Sequence, residues 1–280
     1  MQKLFSIFKD NWVSICFSYT LFTFQSLFIL IYPKVLGNFI DSLIAKDYSY
    51  VVWLLLTFLG VVFFNYVGRV YDTIVFSKIY RRFASVETSI QIENGVETTK
   101  INGRLTLMNN IVSFFERDMI NILHCFYGIT ASIYFIWSAD ATMLPYLILS
   151  GIATITTTYY FSPRISNLTR ETNDLAEKQT EVVNERNISL LNNFLRTRQK
   201  LAVRFSNLDA KFFSVIQVIA YGTVTLLTTY YVVYNQVTVG GVFSTYRYLF
   251  DFCSSVSSVP FIIFSFINIK DVMKRLENQN

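Results

Sequence analysis

Two ionisable residues stand where a charge is hardest to keep. Arg247 and Asp251 fall within an otherwise apolar run, and a charge at that depth of a bilayer is expensive enough to read as functional by default. Four residues apart, they share one face of a helix. Ser244, Ser254 and Ser258 extend that face by steps of three or four. Such a polar stripe looks into a protein interior or an aqueous cavity, not at lipid, and would line a substrate pathway. The competing reading is a self-neutralising pair that locks helix packing, with Arg247 near enough to the span end to reach headgroups. Gln25, Gln217 and Tyr221 are further polar positions in apolar runs and complete the candidate pathway set.

No other group of residues has the form of a catalytic centre. The only histidine, His124, has no carboxylate close in sequence, and its neighbour Cys125 points about 100° away on a helix. It reads as a buried, hydrogen-bonded core residue. Cys16, Cys125 and Cys253 fall in apolar runs without metal-ligand spacing and read as small buried hydrophobes. With no nucleophile and base at a recognisable spacing, the chain is expected to be no enzyme and to hold no metal or cofactor of its own.

The elements that must position the stripe follow from composition. The chain has 280 residues, 52% hydrophobic and 15% charged, with 27 Phe and 18 Tyr, and its mean hydropathy is +0.39. That excludes disorder and most soluble folds. Runs long and apolar enough to cross a bilayer lie at 12–32, 50–67, 120–138, 143–161, 212–234 and 242–267. The fold class is therefore an all-α membrane protein of six transmembrane helices, one domain over 1–280, surrounded by lipid. The first run is too long for a signal-peptide core and reads as a retained span. The net charge of +5 is scattered along the segments flanking these runs, so no nucleic-acid partner is expected. Six crossings put both termini on one side. Two basic residues precede the first span, seven follow the second, nine follow the fourth and three lie in the tail, 21 of the 24 in all. The positive-inside bias makes that side the cytoplasm, and a bacterial plasma (inner) membrane is the expected location.

The cytoplasmic connections are each about 50 residues, too long for idle loops. Between 162 and 211 there is no glycine and only Pro163, and Leu168, Leu175 and Val182 recur every seventh residue among charged neighbours. The fourth helix should run to about Arg186, reverse near Asn192-Asn193, and return as a second long helix. The earlier connection should descend over 71–92, break at Glu93-Asn94-Gly95, and return over 105–122. Lys100-Ile101-Asn102-Gly103 is expected as a second breaker, leaving room for a short transverse turn. The outer connections are a modest loop over 33–49 and two short turns.

Six spans with two long cytoplasmic helical hairpins resemble the transmembrane domain of exporter-type ATP-binding-cassette (ABC) transporters over the entire chain. Ile31-Tyr32-Pro33-Lys34-Val35-Leu36-Gly37-Asn38-Phe39-Ile40-Asp41 is similar to the family's segment leaving the first helix, Asn102-Gly103-Arg104-Leu105-Thr106 to the stretch after its first coupling turn, and Gln236-Val237-Thr238-Val239-Gly240-Gly241 to the turn into its sixth helix. In the family the sixth helix leads on into an ATPase domain. Here about a dozen residues follow it, no Gly-x-x-x-x-Gly-Lys-Ser/Thr exists, and none of the 10 glycines precedes a lysine. The resemblance thus implies a permease subunit without a nucleotide-binding domain, moving a solute across the membrane. Its partners would be a second copy or a related subunit, giving a homodimer or pseudo-dimer, and a separately encoded cytoplasmic ABC ATPase. That ATPase would bind ATP and Mg and dock on the hairpin tips near Asn94, Gly95, Asn192 and Asn193. The alternative is an ATPase-free scaffold that serves as a sensor, regulator or passive conduit.

Overall fold

The computed structural model describes residues 9–96 and 98–278. Its long helices are α1 (Trp12–Ile44), α2 (Tyr50–Glu93), α3 (Thr98–Ser113), α4 (Met119–Ala139), α5 (Leu144–Asn184), α6 (Ile188–Tyr234) and α7 (Val239–Asn278). A π-helical turn, Phe114–Asp118, joins α3 to α4, and a short 3-10 turn, Ala141–Met143, precedes α5. Six stretches are long and apolar enough to cross a membrane. Helix is the form that lets a span satisfy every backbone group internally. The hydroxyls within α5 follow the same rule: Thr154, Thr157 and Thr158 donate to the carbonyls of Ser150, Ala153 and Thr154 one turn back. They satisfy themselves within the helix and form no bridge to a neighbour. Trp12, Trp53 and Trp137 are exposed near span ends, where indole rings suit a headgroup boundary.

Several helices run well past the hydrocarbon. At 44 residues, α2 extends ~66 Å, about twice the ~30 Å apolar thickness. It ends at a glycine-capped turn where Gly95 has φ +67°, and the Val96 N–H donates to the Gln91 carbonyl. That break lies where the sequence places it. The second expected breaker is absent, because α3 passes through Asn102 and Gly103 without interruption. Ile101, Met108, Ile111 and Val112 are buried along α3, and their packing overrides the weak helix propensity of Asn-Gly. No transverse turn separates the two rods among the described residues.

The second hairpin turns at 185–187, earlier than Asn192-Asn193. Arg186 takes φ +50°, and the Asn187 side chain caps α6 by accepting from the Ser189 and Leu190 N–H groups. Asn192 and Asn193 lie exposed within α6, one turn beyond its start. The loop expected at 33–49 shrinks likewise, since α1 continues through Pro33 to Ile44. A proline removes one helical donor, and α7 supplies hydroxyls to the same turn: Ser244 donates to the Pro33 carbonyl and Tyr248 to that of Leu30.

The two ends of the bundle are built differently. At the short-turn end, two carboxylates fasten the turns together. Asp41 of α1 accepts from Thr238 Oγ1 at 2.6 Å and from the Gly240 N–H at 2.8 Å, holding the start of α7. Asp140 accepts from the Thr142 hydroxyl and N–H and from Asn235 Nδ2, tying the α4–α5 turn to the end of α6. A single apolar cluster from α4, α5, α6 and α7, including Ile136, Leu147, Val224 and Leu249, lies beneath. Towards the hairpin end the core divides. Val75, Phe76 and Ile79 of α2 pack with Met108 and Ile111 of α3, Ile15 of α1 and Ile269 of α7. Separately, Ile165 of α5 packs with Phe212 and Ile216 of α6, joined from α7 by Phe264.

The Asp140 fastening has a pH signature. Its bonds, the Thr142 hydroxyl foremost, hold the carboxyl below the usual value of 3.8. A depressed folded-state value stabilises above the unfolded value, and the gain is lost as pH falls through the folded one. The stability advantage over Asp140→Asn should therefore be present at about pH 5 and shrink below about pH 4. Thermal midpoints of the two proteins against pH check this; a constant difference would show that the charge contributes nothing.

Candidate functional site

A cavity of ≈ 580 Å³ opens between α4 and α7 where the core begins to divide. Its first wall comes from the π turn and α4: Asp118, Asn121, His124 and Cys125. Spacings of three and seven from Asp118 place Asn121 and Cys125 on one helix face. Its second wall is one face of α7, with Ser254, Ser258, Phe261 and Ser265. The cavity ends towards the short-turn side where α4 and α7 touch. There Gly128 admits the Ser255 hydroxyl so closely that a Cβ would overlap it, and Cys125 Sγ donates to the Ser255 carbonyl at 3.1 Å.

The π turn decides what faces this space. In an unbroken α-helix Asp118, four residues after Phe114, would lie on nearly the same face. Phe114 is buried in the core with α2 and α7, and Asp118 would follow it. The Met119 N–H instead donates to the Phe114 carbonyl five residues back, and the wider turn rotates Asp118 out of the core and onto the cavity. The side chains of Asp118, Asn121, Ser254 and Ser265 make no hydrogen bond to another described residue, while the Ser254 carbonyl accepts from the Ser258 hydroxyl at 3.0 Å. Their bonding capacity is open to whatever enters.

The residues of the sequence-derived stripe separate. Ser254 and Ser258 line the cavity. Ser244 is 5% exposed, and its hydroxyl is shared between the Gly240 carbonyl one turn back at 2.8 Å and the Pro33 carbonyl of α1 at 3.0 Å. Arg247 and Asp251 pair with each other through two contacts, Nη2 to Oδ1 at 3.0 Å and Nε to Oδ2 at 3.2 Å, and are absent from the cavity walls. The face that they share is partly open in the protomer, Arg247 being 46% and Asp251 21% exposed. Gln25 is 8% exposed, and its Nε2 donates to Asn65 on α2 at 3.3 Å. It joins two helices. Gln217 and Tyr221 lie exposed along α6. Asn94 and Gly95 sit exposed at the first hairpin tip.

Three features were not legible in the sequence. His124 is a cavity wall as well as a bonded core residue, its Nδ1 lying 2.9 Å from Ser26 Oγ of α1. Asp72, five residues past the predicted second span, is 2% exposed and accepts from Ser18 Oγ at 2.6 Å. Cys16 is exposed, whereas Cys125 and Cys253 are buried; its position on the outer face of α1 has no counterpart in the apolar run that suggested burial. For Asp118 the only signal was a carboxylate just ahead of the 120–138 run.

The described residues hold no group of three or more His, Cys, Asp or Glu able to hold a metal ion, and the sequence has no phosphate-binding loop. No curated protein matches the chain. A family model described as ABC transporter transmembrane region matches residues 4–241, ending as α7 begins. Six membrane-length helices, two tall hairpins and a match over most of the length agree, and the chain belongs to the ABC transporter transmembrane family.

Proposed function

We propose that this chain is the permease subunit of an ATP-driven transporter, moving a polar solute through a pathway completed by a second copy or a related subunit. The observation that carries this reading is the contrast between the two ends: carboxylates fasten the short turns together, while the core beneath the hairpins divides into two separately packed groups. A bundle held at one end and divided at the other is a natural two-state element, able to exchange access by rigid movement of its long helices. The cavity between α4 and α7 sits where that division starts.

Energy would enter at the tips. At 1.5 Å per residue, the hairpins reach ~39 Å and ~35 Å beyond the second and fourth spans, so Gly95 and Arg186 stand at similar heights. A nucleotide-binding cassette outside these 280 residues would dock there, with ATP and Mg held wholly by that partner. The excess of basic residues on the hairpin side supports a cytoplasmic location for the hairpins and both termini, and the proposed membrane is a bacterial inner membrane.

Solubilised gently from its native membrane, the chain should bring down a cassette ATPase whose hydrolysis is sensitive to alterations at the two tips. Tags on either terminus should be shielded in intact cells. Isolation of the chain without any ATPase, or exposure of a terminal tag, would overturn this function or its orientation respectively.

A further inference from the structure

We propose that the α4–α7 cavity binds a hydrophilic solute bearing a protonated amine, with Asp118 as its counter-ion. This deepens the transport reading, on which it rests only for regarding the bound molecule as cargo. The walls hold one carboxylate and several neutral hydrogen-bonding groups, and no lysine or arginine. Asp118 makes no ion pair with a described residue. His124 and Cys125 are the other titratable groups on the walls, and both are already engaged, with Ser26 and with the Ser255 carbonyl.

Two independent features converge on that carboxylate. The first is the π turn, which replaces regular helix with less favourable geometry and thereby keeps Asp118 out of the apolar core. Such single turns are found frequently at functional sites. The second is the opposite wall, where Ser254, Ser258 and Ser265 recur at helical spacing and face Asp118 and Asn121 across the space. A carboxylate in an apolar bundle attracts a cation more strongly than it would in water. Hydroxyls and an amide can each donate or accept, so they select a solute rich in hydroxyl or amide groups without fixing its identity. At ≈ 580 Å³ the cavity is in the range of small-molecule sites. Phe261 offers one apolar surface against the body of the solute.

Ser258→Cys, reacted in membranes with cationic trimethylammonium and anionic sulfonate methanethiosulfonate reagents, reads the local charge directly once labelling of the native cysteines is subtracted. The cationic-to-anionic rate ratio should fall roughly tenfold on adding Asp118→Asn and should be retained with Asp118→Glu. Deacetylated chitobiose, with two protonatable amines and labelling run on the acid side of neutrality to keep them charged, should slow the labelling in the Asp118 protein and not in Asp118→Asn. Its neutral N,N′-diacetyl form should protect far less. Equal ratios with and without the Asp118 charge, equal protection by both sugars, no protection by either, or an unreactive thiol in Ser258→Cys would each overturn the proposal. None of these readouts requires an ATPase or turnover, so failure here is distinguishable from failure of the transport function.

Discussion

Gly240→Val is expected to destabilise the protein by about 3 kcal/mol, lowering its thermal midpoint in detergent by roughly 10 °C. Helix propensity alone predicts the opposite sign, because valine is a better helix former than glycine by a few tenths of a kcal/mol. Steric contact decides the outcome. A Cβ on Gly240 would overlap the Gly37 carbonyl oxygen and lie 2.8 Å from Asp41 Cγ; one on Gly37 would meet the Gly240 carbonyl oxygen and the Ser244 hydroxyl. At Gly240 the two nearest atoms belong to the Gly37 backbone, which has no side-chain rotation to relieve the overlap, so α1 and α7 must separate. Separation would also release the two bonds to Asp41 and that of Ser244 to Pro33. Size-exclusion of heated samples measures the effect, with Gly37→Ala as a smaller change at the same contact. An unchanged midpoint for Gly240→Val would show that the two helices do not approach in this way.

Arg247→Leu is expected to cost about 2 kcal/mol, and adding Asp251→Leu should restore most of it. The single change leaves the Asp251 carboxylate without its partner in an apolar span, whereas the double change removes both charges. The figure lies below the 3–5 kcal/mol typical of breaking a fully buried pair, because Arg247 is 46% exposed and water or headgroups compensate in part. Equal midpoints for the single and double variants would mean that the pair is not coupled. The geometry thus favours the neutralising pair over direct lining of the α4–α7 cavity, while leaving their shared open face available to a neighbouring subunit.

The two hairpin tips show where sequence reading succeeds and where it stops. Gly95 occupies the left-handed region that only glycine enters readily, so the residue type announced the turn. At the second tip Arg186 adopts a similar conformation without the residue that advertises it. The asparagine pair six residues later, a plausible turn by composition, is absorbed into the exposed face of α6. Asn102-Gly103 is absorbed in the same way, because α3 gains more from burying Met108, Ile111 and Val112 than it loses at two poor helix formers.

The lining of the candidate cavity was legible in half. Helical periodicity placed Ser254 and Ser258 on one face of α7, and both reach the cavity. The same periodicity included Ser244, Arg247 and Asp251, whose side chains find partners on α1 or on each other. Spacing along one helix says which residues share a face; it carries no information on which neighbour meets that face at each height. The opposing wall was missed because a π turn shifts the register at Asp118, and periodic reading assumes a regular helix.

By itself the sequence determined the six crossings, the tall hairpins and their charge asymmetry, because hydrophobic length and the distribution of lysine and arginine are summed along the chain and need no partner. Only the tertiary structure decided which carboxylate faces a cavity, which polar groups are consumed between helices, and that one end is fastened while the other divides. Those properties depend on the rotation and separation of packed helices, and a single wide turn or a pair of glycines in contact changes them without leaving a pattern in the composition.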